Sequence, residues 1–154
     1  MNGTDRLFMK EALALARQAA QCGEIPVGAV VVRDGKIIGQ AHNLRETNKI
    51  ATAHAEVLAI EQACRVTNSW RLEDCTLYVT LEPCPMCAGA IVNSRIKRVV
   101  FGCKDALAGA CGSVIDLNCY PFNHSFSLTG GVLADEAAEL LTDFFKEKRK
   151  KTEL

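Results

Sequence analysis

Residues 77–92, LYVTLEPCPMCAGAIV, change period in their middle. Leu77, Val79 and Leu81 alternate with Tyr78 and Thr80, which predicts a strand. From Pro85 the run reads as a helix, because proline suits the first helical position, where its missing N–H costs nothing. Cys84 then ends the connection and Cys87 falls in the first turn. Both thiols sit at a helix N-terminus, where the dipole and free N–H groups favour thiolate. A C-x-x-C pair so placed has three readings: a metal-ligand pair, a thioredoxin-like redox dithiol, or a chance pairing in a chain with eight cysteines.

Working outward, the segment KRVVFGC at 97–103 is a second strand, and the strand-helix-strand order implies a parallel pair. Upstream, VGAVVVRDGKIIGQAHN reads as a hairpin turning at Asp34-Gly35. A helix is expected over residues 5–22, with Leu7, Leu13, Leu15 and several alanines on its stripe and Thr4 or Asp5 as cap. Thr52 is the expected N-cap of a helix over 53–66. After Asp105 the chain is rich in Gly and Ala; a short strand is expected near 126–128 and an amphipathic helix over 134–150. The sum is an α/β fold: a mixed five-stranded sheet covered by helices on both faces, in three α/β/α layers.

With 154 residues, 49% of them apolar and 23% charged, the chain suits one domain over 1–154 with a real core. Eighteen basic and eighteen acidic residues cancel, so no general attraction to nucleic acid or anionic membrane is expected; a polyanion would have to meet a local patch. The opening MNGTDRLFMK has no apolar core, and PVGAVVV is far too short to span a bilayer, which points to a cytoplasmic protein with no membrane partner. Cys22, Cys64, Cys75, Cys103, Cys111 and Cys119 are read as buried thiols.

The segment TAHAEVLAI bears on the Cys84–Cys87 pair. His54 and Glu56 fall at the start of a helix, where side chains two apart can both reach past its end. If that helix mouth meets the one carrying Cys84 and Cys87, three zinc ligands converge. Structural zinc is normally closed by four protein ligands and catalytic zinc by three. His42 and His124 lie outside ligand-like spacing, so no fourth is evident. A redox dithiol leaves His54 and Glu56 without a role, whereas beside a metal that activates water Glu56 suits proton transfer.

HAE with PCPMC resembles the H-x-E…P-C-x-x-C signature of the zinc nucleobase deaminases. Further segments, GEIPVGAVVV, AHNLRETN, GACGS, FNH and LLTDFFK among them, extend the resemblance over nearly the whole chain to the bacterial tRNA-specific adenosine deaminases. That resemblance implies a cytidine-deaminase-like sandwich, one Zn2+ per chain on His54, Cys84 and Cys87, and Glu56 as the catalytic proton carrier. It implies hydrolytic conversion of the wobble adenosine of a tRNA anticodon loop to inosine, and a homodimer. Substrate contacts implied by analogy are Asn43, Asn123, Asp105, Phe145, Lys146 and Arg149. On the residues alone, Asn43 and Asn123 are turn and loop residues, and the basic tail FFKEKRKK is a helix end whose cations complement its dipole. Pro26, Val27, Leu81 and Pro83 could wall a base. The chain departs from the family pattern at Ala51, Pro85 and Leu107, none of them a ligand. The alternatives are a deaminase of free guanine or cytosine with the same metal chemistry, a dithiol oxidoreductase, and a closed zinc module.

Overall fold

The computed structural model describes residues 3–153. In chain order it contains α1 (Gly3–Gln21), β1 (Gly28–Arg33), β2 (Lys36–His42), α2 (Arg45–Asn48), α3 (Ala55–Thr67), β3 (Thr76–Leu81), α4 (Pro85–Ser94), β4 (Arg98–Cys103), β5 (Ser127–Thr129) and α5 (Ala134–Glu153). The strands form one sheet in the order β2-β1-β3-β4-β5. β1 pairs antiparallel with β2 and β3, while β3–β4 and β4–β5 are parallel. The mixed five-stranded sheet is the one expected, and α4 makes the crossover between the parallel strands.

Alternation along β1 divides the core. Val30 and Val32 point to the face covered by α1 and α5, where they join Met9, Leu13, Tyr78 and Val100. Ala29 and Val31 point to the face covered by α3 and α4, with Ala59, Leu77, Ile91 and Val99. Five consecutive β1 residues are buried, as a strand covered on both faces requires. A Cβ at Gly28 would overlap the Ala12 carbonyl, so a glycine is what lets α1 lie on the start of β1. Asp34 and Gly35, with φ of 51° and 74°, make the tight hairpin turn.

Several expectations are corrected. Thr52 does not cap α3: its N-cap is His54, in extended backbone, and the Ala55 N–H donates to Asn43 Oδ1 at 2.9 Å, so the cap comes from a different loop. Asp5 is not a cap either. α1 begins earlier, and Asp5 is buried against Arg98 in a two-pronged ion pair, both contacts 2.7 Å, with the Tyr78 hydroxyl donating at 3.1 Å. β5 starts at Ser127, one residue later than expected, because Phe126 turns into the core. Cys22 and Cys119 are exposed, since one lies in the turn closing α1 and the other in a 3-10 turn; Cys64 is half-buried, and Cys75, Cys103 and Cys111 are buried. Among the described residues, no helix is long and apolar enough to cross a membrane.

Candidate active site

The N-termini of α3 and α4 meet at the carboxyl ends of β3 and β4, where open α/β sheets place ligands. His54 ends the loop before α3 and Cys84 ends the loop after β3, each in extended backbone as an N-cap; Pro85 opens α4 and Cys87 follows in its first turn. His54 Nδ1 lies 3.6 Å from Cys84 Sγ and 3.5 Å from Cys87 Sγ. The donor atoms of the three side chains all lie within 4.8 Å of one another, and among the described residues no other His, Cys, Asp or Glu joins the group.

This donor set fits a metal. A tetrahedral zinc about 2.3 Å from sulfur and about 2.0 Å from nitrogen spaces an N–S pair about 3.5 Å apart. Electrostatics agree, because the pair holds one thiolate readily. A hydrogen bond from Cys87, then those from His54 and the Cys87 backbone N–H, bring Cys84 down to about 4. The same negative neighbour and burial push Cys87 up, and the hydrogen bond with Cys84 raises His54. A divalent cation would relieve the repulsion that keeps Cys87 protonated. Glu56, only 4% exposed, is pushed up to about 7, mainly by burial.

Above these residues lies a cavity of about 560 Å³. His54, Glu56 and Cys84 line it, with Ile25, Val27 and Leu81 as apolar wall. One rim is Asn43, Arg45 and Glu46, and the opposite rim is residues 104–108. Leu141, Phe144, Phe145 and Lys148 reach it from α5.

The named site residues are not all brought here. Asn43 lines the cavity, but its amide is engaged with backbone: Nδ2 donates to Ile25 O at 3.1 Å while Oδ1 accepts from Ala55. Asp105 also lines it, with Oδ1 accepting the Leu107 and Ala108 N–H groups at 3.0 and 3.2 Å in a side-chain-closed turn. Phe145 is at the mouth. Arg149 stands further along α5 beside Phe145, Lys148 and Thr152, and Lys146 is exposed and outside the cavity lining. Asn123 is exposed on a loop and also outside it; of the two walls suggested alongside Val27 and Leu81, neither Pro26 nor Pro83 lines the cavity.

Two buried glutamates that sequence reading missed hold the rims. Glu82 Oε1 accepts from the Asp105 N–H and the Ser113 hydroxyl, and Oε2 accepts from the Cys111 and Ser113 N–H groups. Gly109 makes room for it, since a Cβ there would strike the Glu82 carboxylate. Burial opposes the Glu82 charge, but these hydrogen bonds outweigh it and leave the pKa lowered. Glu24, across the cavity, grips α2. The signal available in sequence was a lone acid beside each apolar strand, which does not reveal that the carboxylate turns inward.

A family model described as MafB19-like deaminase matches residues 3–149. The chain is 52% identical to the tRNA-specific adenosine deaminase of Bacillus subtilis over 148 residues, covering 96% of this chain and 92% of that protein. A solved structure from work on A-to-I editing by tRNA:A34 deaminases at the wobble position superposes with a TM-score of 0.85 at 41% identity, covering 87% of this chain and 98% of the other. The guanine deaminase structure from Bacillus subtilis is 43% identical, with a TM-score of 0.65, over 73% of this chain and 71% of the other.

Proposed function

Because this chain belongs to the MafB19-like deaminase family and, within it, to the tRNA-specific adenosine deaminases, we propose that it hydrolyses the wobble adenosine of a tRNA anticodon loop to inosine. The observation that carries the reading is the convergence of His54, Cys84 and Cys87 beside the buried Glu56 in one cavity.

His54, Cys84 and Cys87 would hold one zinc per chain, and three protein ligands are the number used where the metal serves chemistry. When bound, zinc supplies Lewis-acid activation of water at neutral pH. The chain's own residues do the rest. Glu56, raised to about 7 chiefly by burial, can both accept and return a proton near neutrality. It takes one proton from the attacking water and delivers it to ring N1 as the C–O bond forms at C6. It then takes the second and delivers it to the exocyclic amine, which leaves as ammonia as the C6–N6 bond breaks. Ile25, Val27 and Leu81 exclude bulk water from the base. Asn43 keeps the rim in register with α3, and its second amide hydrogen can serve as a donor to a purine N7. Asp105 shapes the opposite rim.

A recessed site of this kind requires an unstacked base, and an anticodon loop supplies one. Phe144, Phe145 and Lys148 at the mouth suit stacking and phosphate contact, with Arg149 further along α5 and the exposed Lys146 between them for the stem; this local patch would offset the zero net charge. Asn123 would join the RNA contact only where its loop meets a strand lying outside the cavity. The family resemblance supports a single catalytic domain acting as a homodimer in the cytoplasm.

Guanine deamination is the second reading, favoured by the 43% identity to the guanine deaminase. The greater coverage of the tRNA-specific relative weighs against it. A substrate panel decides: inosine formed in an anticodon stem-loop with free adenosine, guanine and cytosine untouched supports the proposal, and turnover of guanine with none in the RNA overturns it.

A further inference from the structure

We propose that Glu24 is a positioning residue for substrate binding, acting through the α2 rim of the cavity; this rests on the cavity being the site of the target base. Glu24 is 1% exposed. It follows Gly23, whose φ of 77° reverses the chain after α1, and its own N–H donates to Ala19 O at 2.9 Å, so its backbone is fixed to the end of a nineteen-residue helix. Its carboxylate accepts from the Glu46 N–H at 3.1 Å, the Thr47 N–H at 2.6 Å and the Thr47 hydroxyl at 2.5 Å.

Those are the amides that a helix start leaves unpaired. α2 is only four residues long, and its N-cap, Leu44, makes no side-chain hydrogen bond. A single turn has no cooperative reserve with which to hold itself. An ionised carboxylate, acceptor-only and favoured at the positive end of the turn, replaces the missing cap from 22 residues away. The held segment carries Arg45 and Glu46 onto the cavity, begins next to Asn43, and is tied at its other side by the Leu44 N–H to Ala53 O, the residue before His54. Glu24 lines the cavity, but both its carboxylate oxygens are engaged with α2, so it acts by setting the width of the opening relative to α1.

Glu24→Gln leaves one oxygen acceptor and points an amide donor at N–H donors. On the anticodon stem-loop, KM should rise about tenfold while kcat stays within about threefold, with metal content unchanged. Hydrogen exchange should quicken at residues 44–48 and stay slow along α3. Thr47→Val keeps the backbone bonds and loses the hydroxyl, so it should shift KM the same way by about threefold; it remains informative if Glu24→Gln folds poorly. Unchanged exchange at 44–48, faster exchange with unchanged KM, or a fall in kcat at constant KM would each overturn the proposal. Wild-type protein inactive on RNA instead defeats the functional reading, and the same KM and exchange comparison is then made on guanine.

Discussion

Asn43 Oδ1 accepts the backbone N–H of Ala55 at 2.9 Å, so the residue that begins one rim of the cavity also caps the helix that starts at His54, the candidate metal-site histidine. Its Nδ2 closes a second link to Ile25 O on the apolar wall. Asn43→Ala should lower folding stability by about 1–2 kcal/mol, through loss of a cap and of a buried hydrogen bond, and should weaken metal retention because His54 loses its register. Thermal unfolding and metal analysis check this. A higher KM with unchanged stability and metal content would mean that Asn43 serves the base alone.

Glu82 gathers four hydrogen bonds from residues 105–113. Glu82→Gln is isosteric but must aim an amide N–H at donors, which should cost about 2–3 kcal/mol and loosen the Asp105 rim. Thermal unfolding measures the first effect and proteolysis within 104–113 the second. A variant as stable as wild type would show that the loop holds itself.

Asp5 and Arg98 clamp α1 to β4 from the face opposite His54, Cys84 and Cys87. The Arg98 hydrogen bonds depress the Asp5 pKa despite its burial. A depressed carboxylate stabilises the fold fully above its unfolded pKa near 3.9, and that contribution is lost as pH falls through the lower folded value. Asp5→Ala should thus cost about 3 kcal/mol at pH 7, with the gap from wild type closing below about pH 4. Denaturant titrations at the two pH values test the sign; a gap that widens in acid would contradict it.

Chelation of the metal should abolish deamination and lower the unfolding temperature, since a ligand bound to the folded state stabilises it by mass action. Zinc should restore both. Full activity at no measurable metal would remove His54, Cys84 and Cys87 from the chemistry.

The sheet was legible because its signals are local: the apolar run of β1, alternation in β3, the Asp34-Gly35 turn, and the period change at Cys84. The candidate metal-binding residues were legible because C-x-x-C and H-x-E carry chemistry in their spacing; their meeting was expected only if the two helix mouths faced each other, which the fold brings about. α2 was not, as four residues give no periodicity to read. The α3 cap went to Thr52 in the sequence reading because capping rules look along the chain, while Asn43 reaches it from another loop. Glu24 and Glu82 escaped for the same reason: a buried carboxylate is explained by the distant N–H groups it accepts from, which only the fold brings near. Lys146 and Asn123 came from the family resemblance, and both are exposed and outside the cavity lining.

The most direct test compares zinc-loaded wild type with Glu56→Gln on an anticodon stem-loop bearing a wobble adenosine, following inosine and metal content together. Wild type should form inosine, and the variant should keep its zinc while kcat falls about 10²–10⁴-fold. Inosine formation by the variant at the wild-type rate would contradict the assignment of Glu56 as the proton carrier.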